Sequence, residues 1–204
     1  MAPLEYLDIN EDVLIKLKQL KNAGVEAIST DIWWNHVEYY EKNYDWRTAK
    51  LWLRTLRKLG LKWIVILSFH TCGHNVNDNF YTSLPDHIKE KFPPERRCFY
   101  DDEGNEIDEY VSFWNHEVYE SYYDFIKSFY DTFCDNLDSI EKVYVSMGPA
   151  GELRFPSYNP LTGWRYPHQG KITAYSKDAI LDYQSYLKTK PIVTQKLFIN
   201  QRVF

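Results

Sequence analysis

Apolar and polar positions fall into blocks along this chain, and the blocks alternate between two periods. In residues 9–24, INEDVLIKLKQLKNAG, apolar side chains recur at helical spacing. Asn10 is placed to cap that helix, Glu11 and Asp12 suit its first turn, and Gly24 suits its stop. VEAISTDIWW, residues 25–34, reads as a strand with a polar and aromatic tip. DWRTAKLWLRTLRKLG, residues 45–60, reads as a helix with Asp45 as cap, Ala49, Trp52, Leu53 and Leu56 on one face, and Gly60 as its end. LKWIVILSF, residues 61–69, is a nearly continuous apolar run, the pattern of a strand buried on both faces.

A polar stretch from His70 to Phe113 follows, with Pro85, Pro93, Pro94 and Gly104 and one short helix in DHIKEKF. Compact domains seldom keep so long a connection without a functional cause. Residues 116–137 predict a long helix with Tyr122, Phe125, Ile126, Phe129 and Phe133 on one side. EKVYVSM, residues 141–147, predicts a strand. A second long loop, GPAGELRFPSYNPLTGWRYPHQG, leads to a helix over 176–188 capped by Ser176. MAPLEYL, at the start, reads as a short strand.

Strands and helices therefore alternate, which calls for parallel strands joined by crossovers. Four such units fit a small doubly wound sheet or the first half of an α/β barrel of the (β/α)8, or TIM-barrel, type. The loops favour the barrel, because the residues with chemical potential sit after the second, third and fourth strands, where barrel active sites are built.

Composition narrows the function. The 204 residues carry a formal net charge of −5, which argues against nucleic acid as the partner. No run is apolar and long enough to span a bilayer, so no membrane role is expected. Residues 1–7 show no basic segment leading into an apolar one, and the compartment stays open. Cys72, Cys98 and Cys134 are too few and uneven for a disulfide framework. Aromatics reach 17% of the chain, more than a core requires, and exposed Tyr and Trp line many binding clefts.

Three polar groups stand at successive strand ends: Asp31, His70 and Glu152. Each alone fits a helix cap or a satisfied loop residue. Together, each beside rings or glycines, they point to one site. Glu152 lies in GPAGELRFPSY, where a carboxyl group is flanked by apolar and aromatic neighbours, Leu153 and Phe155, that favour its protonated form. Such an acid protonates the leaving oxygen in glycoside hydrolysis, with a second carboxylate across the bond. Arg154 suits sugar hydroxyls. HTCGHNVND, residues 70–78, offers His70, Asn75 and Asp78 as hydroxyl partners; His70, Cys72 and His74 also have the spacing of part of a zinc site, but no companion pair matches it. Of Trp33 and Trp34, one ring is expected in the core and the other, Trp33, against a pyranose.

TDIWW, SFHTCGHNVND and GPAGELRFPSY, in this order and spacing, resemble the β-amylases, the family 14 glycoside hydrolases. The resemblance runs over residues 1–188 and leaves the tail 189–204 unassigned. It implies a (β/α)8 barrel that removes maltose from the non-reducing ends of α-1,4-glucans with inversion. By motif, Glu152 is the general acid, and Asp31, His70 and Asp78 bind glucose hydroxyls. Residues 73–80 match the family's mobile lid, with His74 and Asn77 where the family carries glycines. Phe155 stands for the usual Tyr. The cysteine pair known in bacterial members has no counterpart, since Phe80 occupies the second position. No cofactor is required; a structural calcium, as in some bacterial members, would be approached by Glu38 and Asp124. The family's catalytic base belongs to the second half of the barrel. The expectation is therefore the N-terminal half of such an enzyme, with a C-terminal half as its missing partner. The rival readings are a relative that binds glucan without cutting it, and an inactive truncated product.

Overall fold

The structure is a computed structural model and describes residues 9–73, 80–148, 151–153 and 171–190. The strand expected in MAPLEYL, most of the expected lid and the 189–204 tail beyond Lys190 lie outside these residues.

Helix α1 (Glu11–Asn22) begins where the sequence places it, with the Asn10 side chain accepting from the Val13 amide at 3.0 Å. Strand β1 (Ala27–Trp33) is followed by one helical turn, α2 (Trp34–Val37), and a tight hairpin of β2 (Glu38–Tyr40) and β3 (Asn43–Tyr44). Helix α3 (Arg47–Lys58) buries Ala49, Trp52, Leu53 and Leu56, the expected face. Its cap differs from expectation. Trp46 holds the N-cap position, and Asp45, one residue earlier, accepts from the Arg47 amide at 3.0 Å and grips the Arg47 guanidinium. That hydrogen bonding holds the Asp45 carboxyl down at about 2.

Strand β4 (Lys62–Ser68) leads into the long connection. There α4 (Asp86–Lys91), α5 (Pro94–Arg97) and a small hairpin, β5 (Phe99–Tyr100) with β6 (Glu106–Ile107), give the segment its own structure. Phe99, Ile107 and Tyr110 form a satellite core beneath it. Helix α6 (Val118–Phe133) runs into a 3-10 turn (Cys134–Ser139), strand β7 (Ile140–Ser146) and finally α7 (Lys177–Lys188), which Ser176 caps by accepting from the Ala179 amide at 3.2 Å.

The main sheet has the order β1-β4-β7, all parallel. One face is dry. Trp63, Val65 and Leu67 of β4 are fully buried against an aromatic stripe of α6, in which Phe133 and Phe129 edge onto Trp63 and Phe125 onto Phe69. Trp63 donates its indole N–H to Thr30 Oγ1 at 2.7 Å, so the deepest polar atom is satisfied.

The other face departs from the expectation of a strand buried on both sides. Ile64 and Ile66 are only half-buried, because no described element covers that face, which is the barrel interior. Strand β7 is more open still: Val143, Tyr144 and Val145 are 43%, 51% and 39% exposed. Among the described residues β7 pairs only with β4 and forms the edge of the sheet. An apolar strand with an unpaired edge is what an incomplete parallel barrel presents.

Candidate active site

The register of the sheet sets the site. Trp33 pairs with Ser68, and Ser68 with Ser146, so one row crosses the C-terminal ends of all three strands. Asp31 sits one pleat deeper, opposite Ile66. Ser68 reaches back along the sheet and donates to Asp31 Oδ1 at 2.6 Å. Burial pushes the Asp31 carboxyl above its ordinary value, and the Ser68 hydrogen bond pulls it partly back.

His70 follows β4 by two residues and is buried. Its Nδ1 lies 3.3 Å from Ser146 Oγ, and its ring meets Trp33 edge-on at 5.2 Å between centroids. Burial pushes the imidazole down to about 4, opposed by a hydrogen bond to the Ser146 backbone. At neutral pH the ring is uncharged, fit to exchange hydrogen bonds with neutral hydroxyls.

The expected division of the tryptophans does not hold. Trp34 is in the core, as foreseen, and donates to Glu38 Oε2 at 2.6 Å. Trp33 is buried too, at 4% exposure, between His70 and Phe80. It touches both rings and presents little open surface in this structure.

The loop after β7 answers why a turn here needs glycine before Glu152. The Gly151 amide donates to the Gly148 carbonyl at 2.9 Å, closing a tight turn. Gly151 has φ +83°, and a Cβ on it would stand 2.4 Å from Ser146 Oγ and 3.4 Å from His70 Cε1. Only glycine lets the backbone lie on these two side chains. Glu152 is therefore delivered next to the strand-end row and is exposed. Leu153, expected to give it an apolar wall, is instead 83% exposed. A chain turning this sharply on glycine leaves the following side chain at the rim. Arg154, Phe155 and Asp78 lie outside the described residues, as do Asn75, His74 and Asn77.

The base of the expected lid is described. Cys72 and Thr82 exchange backbone hydrogen bonds of 3.0 and 3.1 Å, and Gly73, at φ +107°, packs where a Cβ would collide with Tyr81. Cys72 and Thr82, which flank the segment that carries Asp78, are thus held together by backbone pairing.

Glu38 and Asp124 serve the hairpin. Glu38 is buried and accepts from Trp34 and from the Lys42 amide at 2.8 Å, closing the turn in which Lys42 has φ 61°. Asp124 pairs with the Lys42 ammonium at 2.9 Å. A calcium ion would have to displace that ammonium, and no cluster of three His, Cys, Asp or Glu side chains that could hold a metal occurs among the described residues. As placed, the two acids are engaged by Trp34 and Lys42. No described helix is long and apolar enough to cross a membrane.

Two site residues were not singled out from sequence, Ser68 and Ser146. The signal was present: β4 and β7 both end an apolar run on serine, at the end where Asp31 and His70 needed partners.

The sequence profile described as "Glycosyl hydrolase family 14" matches residues 4–200. The chain belongs to that family. It is 41% identical over 93% of its length to the thermophilic β-amylase of Thermoanaerobacterium thermosulfurigenes, of which it covers 35%. It is 40% identical over 93% of its length to the β-amylase of Niallia circulans, of which it covers 33%. The solved catalytic domain of β-amylase from Paenibacillus polymyxa superposes with TM-score 0.83 at 36% identity, over 92% of this chain and 45% of that one. The fold is thus a partial α/β barrel of the β-amylase type, and the chain spans about a third of the curated relatives it matches.

Proposed function

We propose that this chain carries the acid half of a β-amylase-type active site, in an exo-hydrolase that releases maltose from the non-reducing ends of α-1,4-glucans such as starch or glycogen. The observation that supports the reading is the seating of Gly151, the residue before Glu152, on Ser146 and His70. Family membership supports glycoside hydrolysis as the chemistry.

In the proposed reaction Glu152 gives its proton to the glycosidic oxygen as the C–O bond breaks. Water attacks the anomeric carbon from the opposite face and loses a proton to a second carboxylate, with inversion. That carboxylate, which the family resemblance assigns to the second half of the barrel, would stand about 6.5–9.5 Å from Glu152 across the sugar. His70, with Nδ1 held at Ser146, keeps Nε2 for a glucose hydroxyl. Asp31, Asp78 and Arg154 complete the hydroxyl partners. The arrangement uses no metal or cofactor. A second reading, glucan binding without cleavage, draws on the same geometry of Asp31 and His70.

The test is maltose release from soluble starch by the native protein, followed by polarimetry, with and without Glu152→Gln. Loss of release with maltose binding kept is expected. Normal turnover in the variant overturns the assignment of the acid. Starch binding without release by the unaltered protein favours the binding-only reading.

A further inference from the structure

Tyr39 and Tyr40 are adjacent, large and open, at 62% and 73% exposure. The packing role of this hairpin falls to its neighbours: Glu38 is buried, and Tyr44 packs on Phe125. The two rings border a shallow groove of about 660 Å³, whose remaining lining includes Asn43, Asp45, Arg47 and Leu51.

The groove is rigidly built. The Glu38 carboxylate ties the hairpin to Trp34 and closes its turn through Lys42. Two ion pairs anchor the same hairpin from outside, Lys91 to Glu41 at 2.8 Å and Lys42 to Asp124 at 2.9 Å. The Asp45 amide donates to the Val37 carbonyl at 2.7 Å. Along one side, Asp45 and Arg47 form a two-pronged ion pair with contacts of 2.6 and 2.9 Å. Rigid rings lose little conformational freedom on binding, and an ordered polar fork beside them has its geometry set in advance.

Which ligand matches this lining? A pyranose has apolar C–H faces and a rim of hydroxyls. Tyrosine rings suit the faces, and Asn43, Asp45 and Arg47 suit the hydroxyls, which both donate and accept. A nucleic acid strand would meet Asp45 and a chain of net charge −5. A lipid or an apolar helix would leave the ion pair buried without compensation.

Position strengthens the match. The hairpin follows β1 through the single turn α2, so it stands at the end of the sheet that holds Trp33 and His70. A smaller cavity lined by Trp33 and His36 shares Asp45 and Thr48 with the groove, so the same side chains wall both.

We propose that the groove at Tyr39 and Tyr40 is a second glucan-binding site, separate from the cleavage site, that grips an α-1,4-glucan chain along its length. This rests on the reading of the chain as a glucan-handling protein. It adds a hold on long substrates that a maltose unit is too short to use.

The experiment is titration of the full chain with maltose and with maltoheptaose, for the unaltered protein, Tyr39→Ala/Tyr40→Ala, Tyr39→Phe/Tyr40→Phe and His70→Ala. The alanine pair is expected to weaken maltoheptaose binding by about tenfold and leave maltose unchanged, and the phenylalanine pair to keep both. His70→Ala is expected to weaken maltose. Undiminished maltoheptaose binding in the alanine pair overturns the groove while leaving the glucan reading intact. Equal loss of both sugars also overturns it, because the groove would then not be a separate site. If the unaltered protein binds neither sugar, the glucan reading falls and the groove with it.

Discussion

Ser68 Oγ donates to Asp31 Oδ1 at 2.6 Å, from the last residue of one strand to a carboxylate one pleat below the end of its neighbour. The hydroxyl steadies a carboxylate that burial would otherwise leave protonated over a wider range. Ser68→Ala is therefore expected to raise the Asp31 carboxyl further. Maltose affinity, followed against pH, should lose its acid side earlier, with a decrease of about threefold to tenfold near neutrality. An unchanged pH profile would show that Ser68 only fills space.

Gly151 is the second point of leverage. Its positive φ and the 2.4 Å approach of a Cβ to Ser146 Oγ mean that Gly151→Ala must displace the turn that delivers Glu152. The strain is of the order of 1–3 kcal/mol. On the proposed function, maltose release by the native protein should fall by more than about tenfold, since misplacing a catalytic group by an ångström is costly. Trimming the partner as well, in Gly151→Ala/Ser146→Gly, should recover part of the loss if the clash is its cause; no recovery would point to the φ constraint alone.

His70 gives the fold an acid sensitivity whose sign can be worked out. Folding lowers the imidazole from an ordinary value of about 6.5 to about 4. Between these values the unfolded chain binds the extra proton and the folded chain does not. Stability is therefore full above about pH 6.5, declines as pH falls, and has lost the whole contribution below about 4, up to about 3 kcal/mol. Asp31, with its carboxyl raised, acts in the opposite sense over a window opening near 3.8. Thermal melts of His70→Gln should show a flatter decline between pH 6.5 and 4 than the unaltered chain; parallel declines would exclude His70 as the source.

The exposed strand predicts behaviour in solution. With Val143, Tyr144 and Val145 open and one edge unpaired among the described residues, the 204-residue chain by itself should self-associate and bind a hydrophobic dye. Val143→Lys and Val145→Lys together should reduce both, because charge on an edge strand opposes further pairing. A sharp monomer peak for the unaltered chain in light scattering would count against this account.

Much of this was legible in advance because local rules and burial agreed. The α3 face of Ala49, Trp52, Leu53 and Leu56 and the aromatic stripe of α6 are periodic, and their partners were bound to be the strands between them. Asn10 and Ser176 cap as their spacing requires. Asp45 did not, because its carboxylate was drawn into a pair with Arg47, a contact that competes with capping and leaves the same sequence trace. The two-sided burial read into LKWIVILSF belongs to a closed barrel, and the open inner face reflects which strands are here rather than a misread period. Asp31, His70 and Glu152 could be read as candidates because each follows a strand or lies near its end. The supporting serines could not, since their roles arise from a register between strands far apart in the chain. Trp33 is buried where an open ring was expected, because sequence shows that a ring is present but not how far the fold covers it.

That register has a kinetic side. β4 joins β1 across a short crossover, whereas β7 reaches β4 only after the long connection and α6, more than twice the separation along the chain. Loops of greater length close at greater entropic cost, and distant pairings slow folding. The β1–α3–β4 unit should thus assemble first, with β7 recruited late and the active-site row completed only at the final step. Mutational φ-values close to one in α3 and close to zero in β7 would record that order, and the reverse pattern would refute it. A growing chain would hold Asp31 and His70 in place before Glu152 arrives to meet them.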